Sequence, residues 1–390
     1  MSRHTAMKTD DTRTLSSARR LVVKIGSALL VGEQSGRLRH RWLATLCEDV
    51  AALKSAGTEI VIVSSGAVAV GRNALKMGRG VLKLEEKQAA AAAGQIRLAH
   101  AYQEALARHK LPVAQILLTP GDTEERRRHL NARGTVETLL RLGAIPIINE
   151  NDSVATEEIR FGDNDRLAAR VAQMISADML VLLSDIDGLY TADPHRVKTA
   201  KFIPEVAHIT PDIEAMAGDA APGYASGGMV TKIAAAKIAT RAGCGVVIAA
   251  GQKTHSLASV GGRGRCTWFL PTSTPINARK QWIAGAITPA GTITVDDGAA
   301  HALSQGKSLL PAGVTAIAGA FDRGDAVVIH TARGKQIGSG LSAYSAADAR
   351  LILGHKTREI EALLGYRGRD EIIHRDNLVL DHARGGWKTG

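Results

Sequence analysis

Short apolar runs rich in β-branched residues recur along the chain as far as residue 250, and longer amphipathic segments lie between them. The runs are LVVKI (21–25), EIVIV (59–63), LPVAQILL (111–118), AIPIIN (144–149), MLVLL (179–183) and GVVIAA (245–250). Between them, as in RWLATLCEDVAALKSAG, apolar residues return every three or four positions, which is typical of helices. Because the runs are continuous rather than alternating, we expect a mainly parallel sheet that is covered by helices on both faces. The predicted fold class is therefore α/β.

This rhythm stops at PTSTPINARKQWIAG (271–285), where two prolines and a polar run predict a linker. Short strand-like pieces (TITV, VTAIAG, DAVVIH) follow, with many glycines and one helix-like segment, DDGAAHALSQG, whose acidic start suits a helix N-terminus. We therefore expect a second, small and mostly β domain. The predicted division is a polar N-terminal tail (1–18), an α/β domain (19–270), the linker (271–285), a mostly β domain (286–370) and a C-terminal tail (371–390).

The composition is that of a globular protein without a membrane segment. The chain has 390 residues, 45% of them hydrophobic, which is enough for two or three domains. Its polar first twenty residues lack the apolar run of a secretory signal, and no stretch reaches the roughly 18 uninterrupted apolar residues of a membrane span. Three widely spaced cysteines form no C-x-x-C pair, which argues against a disulfide framework and a zinc site. We predict a cytoplasmic location.

The chain is basic, with a formal net charge of +11 and a pI near 9.7. Such a surplus is typical of proteins with nucleic-acid or acidic-ligand partners, and equally of a solvated basic surface. From residue 286 to the end, however, 12 Lys and Arg oppose 11 Asp and Glu, so the surplus lies almost entirely on the first 285 residues.

Polar loops follow four of the predicted strands, at the edge where ligands bind in open α/β sheets. Lys24 stands near the end of the first strand, before a glycine. Its ammonium group either extends into solvent at the strand end or provides a positive charge for a phosphate. After the second strand comes SSGA (64–67), at a predicted helix start. The free N–H groups there suit an anion such as a carboxylate, although an ordinary serine N-cap explains the same residues.

Two clusters of oxygen-bearing side chains, NEND (149–152) and GDND (162–165), flank a short loop after the fourth strand. A calcium loop requires alternating ligands around a glycine and a closing glutamate, and this spacing does not provide them. Solvated turns remain one explanation. We favour a site for a cationic group, in which Asp and Asn hold an α-ammonium and a further aspartate orients lysines beside a phosphoryl group.

The segment SGGMVTK (226–232) leads into a helix and suggests a second phosphate-binding loop, although the chain has neither a Walker sequence nor a credible G-x-G-x-x-G after a strand. The fifth strand ends at Ser184 and Asp185. Phosphoryl transfer depends mainly on alignment and neutralisation of charge. Two lysines that converge from different elements, Lys24 and Lys232, therefore indicate a phosphotransferase.

The motifs VVKIGS, IVIVSSGAVAVG, NARGT, PIINENDSVAT, FGDND, LLSDIDGLYTADP and SGGMVTKIAAA occur in this order over nearly the whole chain. Together they resemble the glutamate 5-kinase family of the amino-acid kinase superfamily. ITPAGTITVDDGA, SLLPAGV and FDRGDAV are similar to the PUA module that many bacterial members carry. The resemblance implies a three-layer α/β/α amino-acid-kinase fold with a PUA-like C-terminal domain. Ser226 and Ser184 stand where the family has threonine, and each keeps a hydroxyl.

The resemblance also implies ATP-dependent phosphorylation of the γ-carboxylate of L-glutamate, the first step of proline biosynthesis. It implies catalytic roles for Lys24, Lys232 and Asp165. Glutamate would be held by Ser65, Asp152 and Asn164, and the same pocket would be lined by Asn149 and Asp163. The ATP site would comprise Lys24, Ser184, Asp185, Ser226, Gly227, Gly228, Met229, Val230, Thr231 and Lys232. Mg²⁺ is expected as the ATP counterion, held by phosphate oxygens and water rather than by a protein-built metal site.

Further partners are implied in the same way: proline as a feedback inhibitor at an overlapping site, a homodimer or homotetramer, and the dehydrogenase that reduces glutamyl phosphate to glutamate 5-semialdehyde. Two alternatives stay open. In the first alternative, the chain is another member of the superfamily that acts on aspartate or acetylglutamate. Acetylglutamate, however, lacks the free ammonium group that the Asp/Asn-rich loop suits. The second alternative is RNA binding by the PUA-like domain. The near-neutral charge of that domain argues against it, and so does the chain's aromatic content of 3%, which leaves few rings to stack on bases.

Overall fold

The computed structural model describes residues 14–33, 35–78, 80–154, 164–218, 228–260, 262, 264–278, 280 and 289–381. The chain forms two compact units. The first comprises Met1–Glu124 and Ala132–Pro275, and the second comprises Glu125–Asn131 and Ile276–Gly390. Among the residues outside the described ranges are 1–13 of the predicted N-terminal tail, 279 and 281–285 of the predicted linker, 286–288 of the predicted mostly β domain and 382–390 of the predicted C-terminal tail.

The first unit is built on an eight-stranded sheet. Its elements include strands β1 Arg20–Ile25, β2 Glu59–Ser64, β3 Val113–Leu118, β4 Ile145–Glu150, β5 Met179–Ser184, β6 Leu189–Tyr190, β7 Phe202–Ile203, β8 Glu205–Val206, β9 Gly245–Ala250 and β10 Cys266–Phe269. The strand order is β3-β4-β2-β1-β5-β9-β10-β8, and β6 pairs with β7 in a separate ribbon. The β9–β10 pairing is antiparallel, and the other pairings in this sheet are parallel.

Helices cover both faces of this sheet. The helices along this part of the chain are α1 Ser27–Leu30, α2 His40–Ser55, α3 Ala67–Ala74, α4 Leu84–Ala107, α5 Pro120–Glu124, α6 Arg126–Arg141, α7 Asn164–Met174, α8 Pro211–Ala215, α9 Met229–Arg241 and α10 Ser256–Ser259. The first residues of α6, as far as Asn131, belong to the second unit. One core contains residues of α2 and α4, and the other contains residues of α6, α7 and α9. The predicted α/β class with a mainly parallel, two-sided sheet is confirmed.

Strand alternation decides which polar side chains meet which helices. Successive residues of a strand point to opposite faces. In β1, Leu21, Val23 and Ile25 join the α2/α4 core, whereas Val22 joins the α7/α9 core. Lys24 shares the parity of Val22 and therefore points toward α7 and α9. By the same rule, Ser64 follows Ile62 toward α4.

The second unit has its own five-stranded sheet. Its strands are β11 Gly291–Val295, β12 Val314–Gly319, β13 Ala326–Thr331, β14 Gln336–Leu341 and β15 Leu378–Leu380, in the order β12-β11-β13-β14-β15. Its helices include α11 Asp297–Ser304, α12 Ala346–Ile352 and α13 Ile360–Leu364. The carboxylate of Asp296 caps α11, accepting from the backbone N–H of Ala299 at 2.6 Å, as the acidic start of this segment indicates. The mostly β second domain is confirmed.

Two segments that were predicted to be tails contribute to ordered structure. Leu15, inside the predicted N-terminal tail, is 3% exposed and belongs to the α2/α4 core. Strand β15, inside the predicted C-terminal tail, pairs with β14. Leu15–Ser17 form a 3-10 helix, and Ile372 and Ile373 are buried in the core of the second unit. Each of these pieces is only two or three residues long, so none shows periodicity in the sequence.

Candidate active site

Three charged side chains from three elements meet at the carboxyl edge of the sheet. Lys24 comes from β1, Asp165 from the first turn of α7 and Lys232 from the first turn of α9. The Lys24 Nζ lies 2.5 Å from Asp165 Oδ1, and the Lys232 Nζ lies 3.2 Å from Asp165 Oδ2. The side chain of Asp165 is 0% exposed, and those of the two lysines are 8% and 7% exposed. The two lysines that the sequence singled out are therefore brought together by one buried carboxylate.

The electrostatics of this cluster favour an anionic ligand. Burial alone would raise the pKa of Asp165, but the ammonium groups of Lys24 and Lys232 and the Thr231 hydroxyl lower it below its ordinary value. The carboxylate is therefore ionised at neutral pH. Two positive charges face one negative charge, which leaves a net charge of one positive unit in a largely dry position. A phosphoryl group is the kind of anion that such a site stabilises.

The start of α9 adds polar groups to the same place. The Thr231 hydroxyl is 2.9 Å from Asp165 Oδ2 and 2.9 Å from the carbonyl oxygen of Gly228, the residue that precedes α9. Because the Thr231 hydroxyl has a single hydrogen, it can donate to only one of these two acceptors at a time. The main-chain N–H groups of the first turn of a helix have no partner within the helix, so this end of α9 suits phosphate oxygens.

A network of amides links the NEND and GDND segments to the SSGA loop. The Asn164 Nδ2 lies 2.7 Å from Ser65 Oγ, 3.0 Å from Asn149 Oδ1 and 3.1 Å from the carbonyl oxygen of Ser64, so its two hydrogens are shared among three acceptors. Three residues predicted to bind one substrate, Ser65, Asn149 and Asn164, therefore form one connected group. Their side chains present polar atoms at the ends of β2 and β4 and at the start of α7.

Gly66 gives the SSGA loop its shape. Its φ is +101°, in the left-handed region that glycine adopts without strain. A Cβ atom there would also lie 3.2 Å from the Val31 Cγ2. The turn directs the chain into α3 and leaves the first N–H groups of that helix at the edge of the site.

The remaining predicted residues that the structure describes lie at the end of β5, in the turn after β4 and at the start of α9. The Ser184 hydroxyl donates to Asp185 Oδ1 at 2.9 Å, and the carbonyl oxygen of Asp185 accepts from Gln252 Nε2 at 3.1 Å. These residues lie at the end of β5, beside β1 in the sheet. Asp152 lies in the turn after β4, and Met229 and Val230 begin α9. Asp163, Ser226 and Gly227 lie outside the described residues.

Two residues of α4 belong to the site's surroundings and were not predicted. Gln95 accepts a hydrogen bond from Asn149, and the Tyr102 hydroxyl lies 3.0 Å from Ser64 Oγ. The alanine-rich stretch before Gln95 packs closely against α3, since a Cβ atom on Gly94 would lie 1.8 Å from the Ala67 carbonyl oxygen. The sequence signal that could have found Gln95 is a polar glutamine that follows a run of alanines within a helix.

No group of three or more His, Cys, Asp or Glu side chains suited to hold a metal ion occurs among the described residues. In the same part of the chain, no helix has the length and apolar character needed to span a membrane.

Comparison with known proteins agrees with this geometry. The model of the Amino acid kinase family matches residues 19–250, and that of the PUA domain matches residues 291–364. The glutamate 5-kinase of Paramagnetospirillum magneticum is 63% identical, covering 94% of this chain and 99% of that protein. Those of Agrobacterium fabrum and Rhodospirillum rubrum are each 59% identical, covering 95% and 92% of this chain and 95% and 96% of those proteins.

The chain belongs to the glutamate 5-kinase family. As a member of that family it is an enzyme, a kinase with an amino acid kinase domain followed by a PUA domain. Its kinase relatives imply the use of ATP. The resemblance that the motifs indicated is confirmed.

Proposed function

We propose that this enzyme transfers the γ-phosphoryl group of ATP to the γ-carboxylate of L-glutamate and forms L-glutamyl 5-phosphate. The observation that carries the proposal is the ion-paired cluster of Lys24, Asp165 and Lys232 at the edge of the sheet. Its net positive charge is matched to the negative charge that a transferring phosphoryl group carries.

In the proposed reaction, a γ-carboxylate oxygen of glutamate attacks the γ-phosphorus while the bond from that phosphorus to the β,γ-bridging oxygen breaks. Lys24 and Lys232 stabilise the equatorial oxygens from two sides, and Asp165 holds both ammonium groups in place. A carboxylate with a pKa near 4.3 is already ionised at neutral pH, so the acceptor has no proton to lose. A general base is therefore unnecessary, which suits an Asp165 whose pKa is lowered.

The amino-acid end of glutamate is proposed to bind at the amide network. Asn164 donates its Nδ2 hydrogens to protein acceptors, so its Oδ1 is available to accept from an α-ammonium. We assign the carboxylate of Asp152 to the same ammonium group. The Ser65 hydroxyl accepts from Asn164 and can donate its own proton to a carboxylate. We assign Asn149 and Asp163 to the same pocket. This arrangement favours glutamate over acetylglutamate, which has no free ammonium group.

ATP is proposed to bind along residues 226–232, with Lys24, Ser184 and Asp185 at the neighbouring strand ends. The Gly228 to Lys232 segment offers helix N–H groups and an ammonium group, which fit phosphate oxygens. Mg²⁺ is proposed as the counterion of ATP, held largely by phosphate oxygens and water, as this hard cation prefers. When bound, the ion would neutralise phosphate charge.

The proposal extends to the pathway, the inhibitor, the oligomeric state and a partner enzyme. The reaction is the first step of proline biosynthesis in the cytoplasm, and proline is expected to inhibit it by competing with glutamate, since both carry an α-carboxylate and an ammonium-type nitrogen. A homodimer or homotetramer is expected, as is a complex with the dehydrogenase that consumes the labile acyl phosphate. Co-purification from extract tests that complex.

Trapping of the acyl phosphate tests the proposed reaction. Purified protein is incubated with ATP, Mg²⁺ and hydroxylamine, which converts acyl phosphates into hydroxamates, and with glutamate, aspartate or acetylglutamate. We expect hydroxamate from glutamate, and less when proline is added. Equal or greater hydroxamate formation from either of the other two acids would contradict the assignment of substrate, and no hydroxamate from any acid would contradict the reaction.

A further inference from the structure

Gln95 is a polar side chain at a position of α4 where apolar residues are the rule. The buried positions of this helix include Ala90, Ala91, Gly94 and Leu98, and Gln95 itself is only 8% exposed. An amide in such surroundings is unfavourable unless its hydrogen-bonding groups are satisfied. The reason for a glutamine at this position must therefore lie in what it contacts.

Helix α4 lies directly behind the proposed substrate pocket. A Cβ atom on Gly94 would be 1.8 Å from the carbonyl oxygen of Ala67, so only glycine allows α4 to pack this closely against the first turn of α3. The Tyr102 hydroxyl, two turns farther along α4, lies 3.0 Å from Ser64 Oγ. Gln95 is held between these two contacts. Its Oε1 lies 2.9 Å from Asn149 Nδ2.

Two main-chain groups fix the orientation of every amide in the network. The N–H of Glu150 can only donate, and it donates to Asn149 Oδ1 at 2.9 Å, so the Asn149 Nδ2 must face Gln95. The carbonyl oxygen of Ser64 can only accept, and it lies 3.1 Å from Asn164 Nδ2. The same Nδ2 donates to Asn149 Oδ1 at 3.0 Å. Each amide in the relay from Gln95 through Asn149 to Asn164 therefore has one permitted orientation.

The relay leaves one group of Gln95 without a partner. The Gln95 Nε2 is buried and makes no hydrogen bond to any residue that the structure describes. For stability alone, an apolar side chain of similar size would avoid this unpaired donor. What the glutamine provides instead is an acceptor for Asn149. That acceptor completes the hydrogen bonding of Asn149, which in turn presents its Oδ1 to Asn164.

We propose that Gln95 is a positioning residue for the acceptor amino acid. Through Asn149 it keeps Asn164 turned so that its Oδ1 is available to the α-ammonium and the Ser65 hydroxyl proton is available to a carboxylate. The inference rests on the proposed function, because it assigns this amide relay to the glutamate pocket. It makes Gln95 a determinant of glutamate affinity without direct contact to the phosphoryl group.

The test compares Gln95→Met with Gln103→Met, a matched change at an exposed position of the same helix. For Gln95→Met we expect the KM for glutamate to rise about tenfold, the effect of about one hydrogen bond, while the KM for ATP, kcat and Tm stay close to wild type. Gln103→Met should change none of these values. An unchanged KM for glutamate would overturn the inference. So would a collapse of Tm, since Gln95 would then be a structural residue.

A double-mutant cycle tests the route through Asn149. If Gln95 acts by orienting Asn149, then Gln95→Met combined with Asn149→Ala should have the same KM for glutamate as Asn149→Ala alone. Effects that multiply would show that the two residues act independently, and would overturn the relay. Wild-type hydroxamate formation is measured alongside. A wild type that is inactive toward glutamate contradicts the proposed function, whereas an active wild type with an unaffected Gln95 variant contradicts this inference alone.

Discussion

At the scale of single residues, the site depends on one buried negative charge between two positive ones. Asp165 is completely buried, and its carboxylate oxygens contact the ammonium groups of Lys24 and Lys232. Charges in such a place are tolerated only when they are paired. Because the cluster keeps a net positive charge, it is ready for an anion, and the protein itself holds the two lysines in position before a substrate binds.

Asp165→Asn should separate charge from shape, because the amide is nearly isosteric with the carboxylate. Without the negative charge, Lys24 and Lys232 repel each other and lose their common anchor. We expect kcat to fall about 100-fold or more, with a smaller effect on the KM for glutamate, measured by steady-state kinetics. The exposed Asp297→Asn is the control for the same chemical change. A kcat for Asp165→Asn within a few-fold of wild type would remove Asp165 from the transfer site.

Asp165→Asn should also change how the stability of the fold depends on pH. The pKa of Asp165 is lower in the folded protein than its ordinary value near 4, so its ionised form stabilises the fold above that pH. This contribution is lost as the pH falls through the lowered pKa. The deficit in Tm of Asp165→Asn should therefore be constant from about pH 8 to about pH 5 and shrink below about pH 4. A deficit that grows toward acid pH would contradict the direction of the shift.

Residue types and their places, one at a strand end and one at a helix start, singled out Lys24 and Lys232, and the family resemblance assigned a role to Asp165. A lysine near the end of a buried strand and a lysine in the first turn of a helix are each ambiguous, but their convergence on one carboxylate requires the fold. Gln95 and Tyr102 could not be found in this way. Their partners, Asn149 and Ser64, lie far away in sequence, and only the packing of α4 brings them together.

At the scale of elements, strand parity and close helix packing position the site. Lys24 faces α7 and α9, whereas Ser64 and Asn149 face α4, because the strands alternate between two separate cores. The continuous apolar runs made the long parallel strands predictable. The two-residue strands β6, β7 and β8 and the three-residue β15 could not be predicted, since their pairing depends on distant partners rather than on a local pattern.

Gly94→Ala tests whether close packing of α3 on α4 positions the SSGA loop. The added methyl group would lie 1.8 Å from the Ala67 carbonyl oxygen and 2.5 Å from the Gly71 nitrogen, so the two helices must separate. We expect Tm to fall by about 3 to 10 °C and the KM for glutamate to rise more than that for ATP. Gly78→Ala is the matched control, because a Cβ there meets nothing within 4 Å. Equal Tm and equal KM values for the two variants would show that the close packing of α3 on α4 does not position the SSGA loop.

At the scale of the whole molecule, the chemistry proposed here belongs to the first unit, whereas the match to the PUA domain covers residues 291–364. From residue 286 onward, 12 basic residues oppose 11 acidic ones. A domain with so little surplus positive charge has a weak general attraction for nucleic acid. The PUA domain match therefore does not by itself support RNA binding as the main activity, and the amino acid kinase domain accounts for the function proposed.

Isotope transfer from the acceptor tests the central claim most directly. Glutamate labelled with ¹⁸O in its γ-carboxylate is incubated with the enzyme, ATP, Mg²⁺ and hydroxylamine, and the released phosphate is examined by ³¹P NMR. Because a γ-carboxylate oxygen becomes bonded to phosphorus and hydroxylamine then attacks the acyl carbon, each phosphate should carry one ¹⁸O atom. Label in the α-carboxylate should give none. Phosphate without ¹⁸O from the γ-labelled substrate would contradict phosphoryl transfer to the γ-carboxylate.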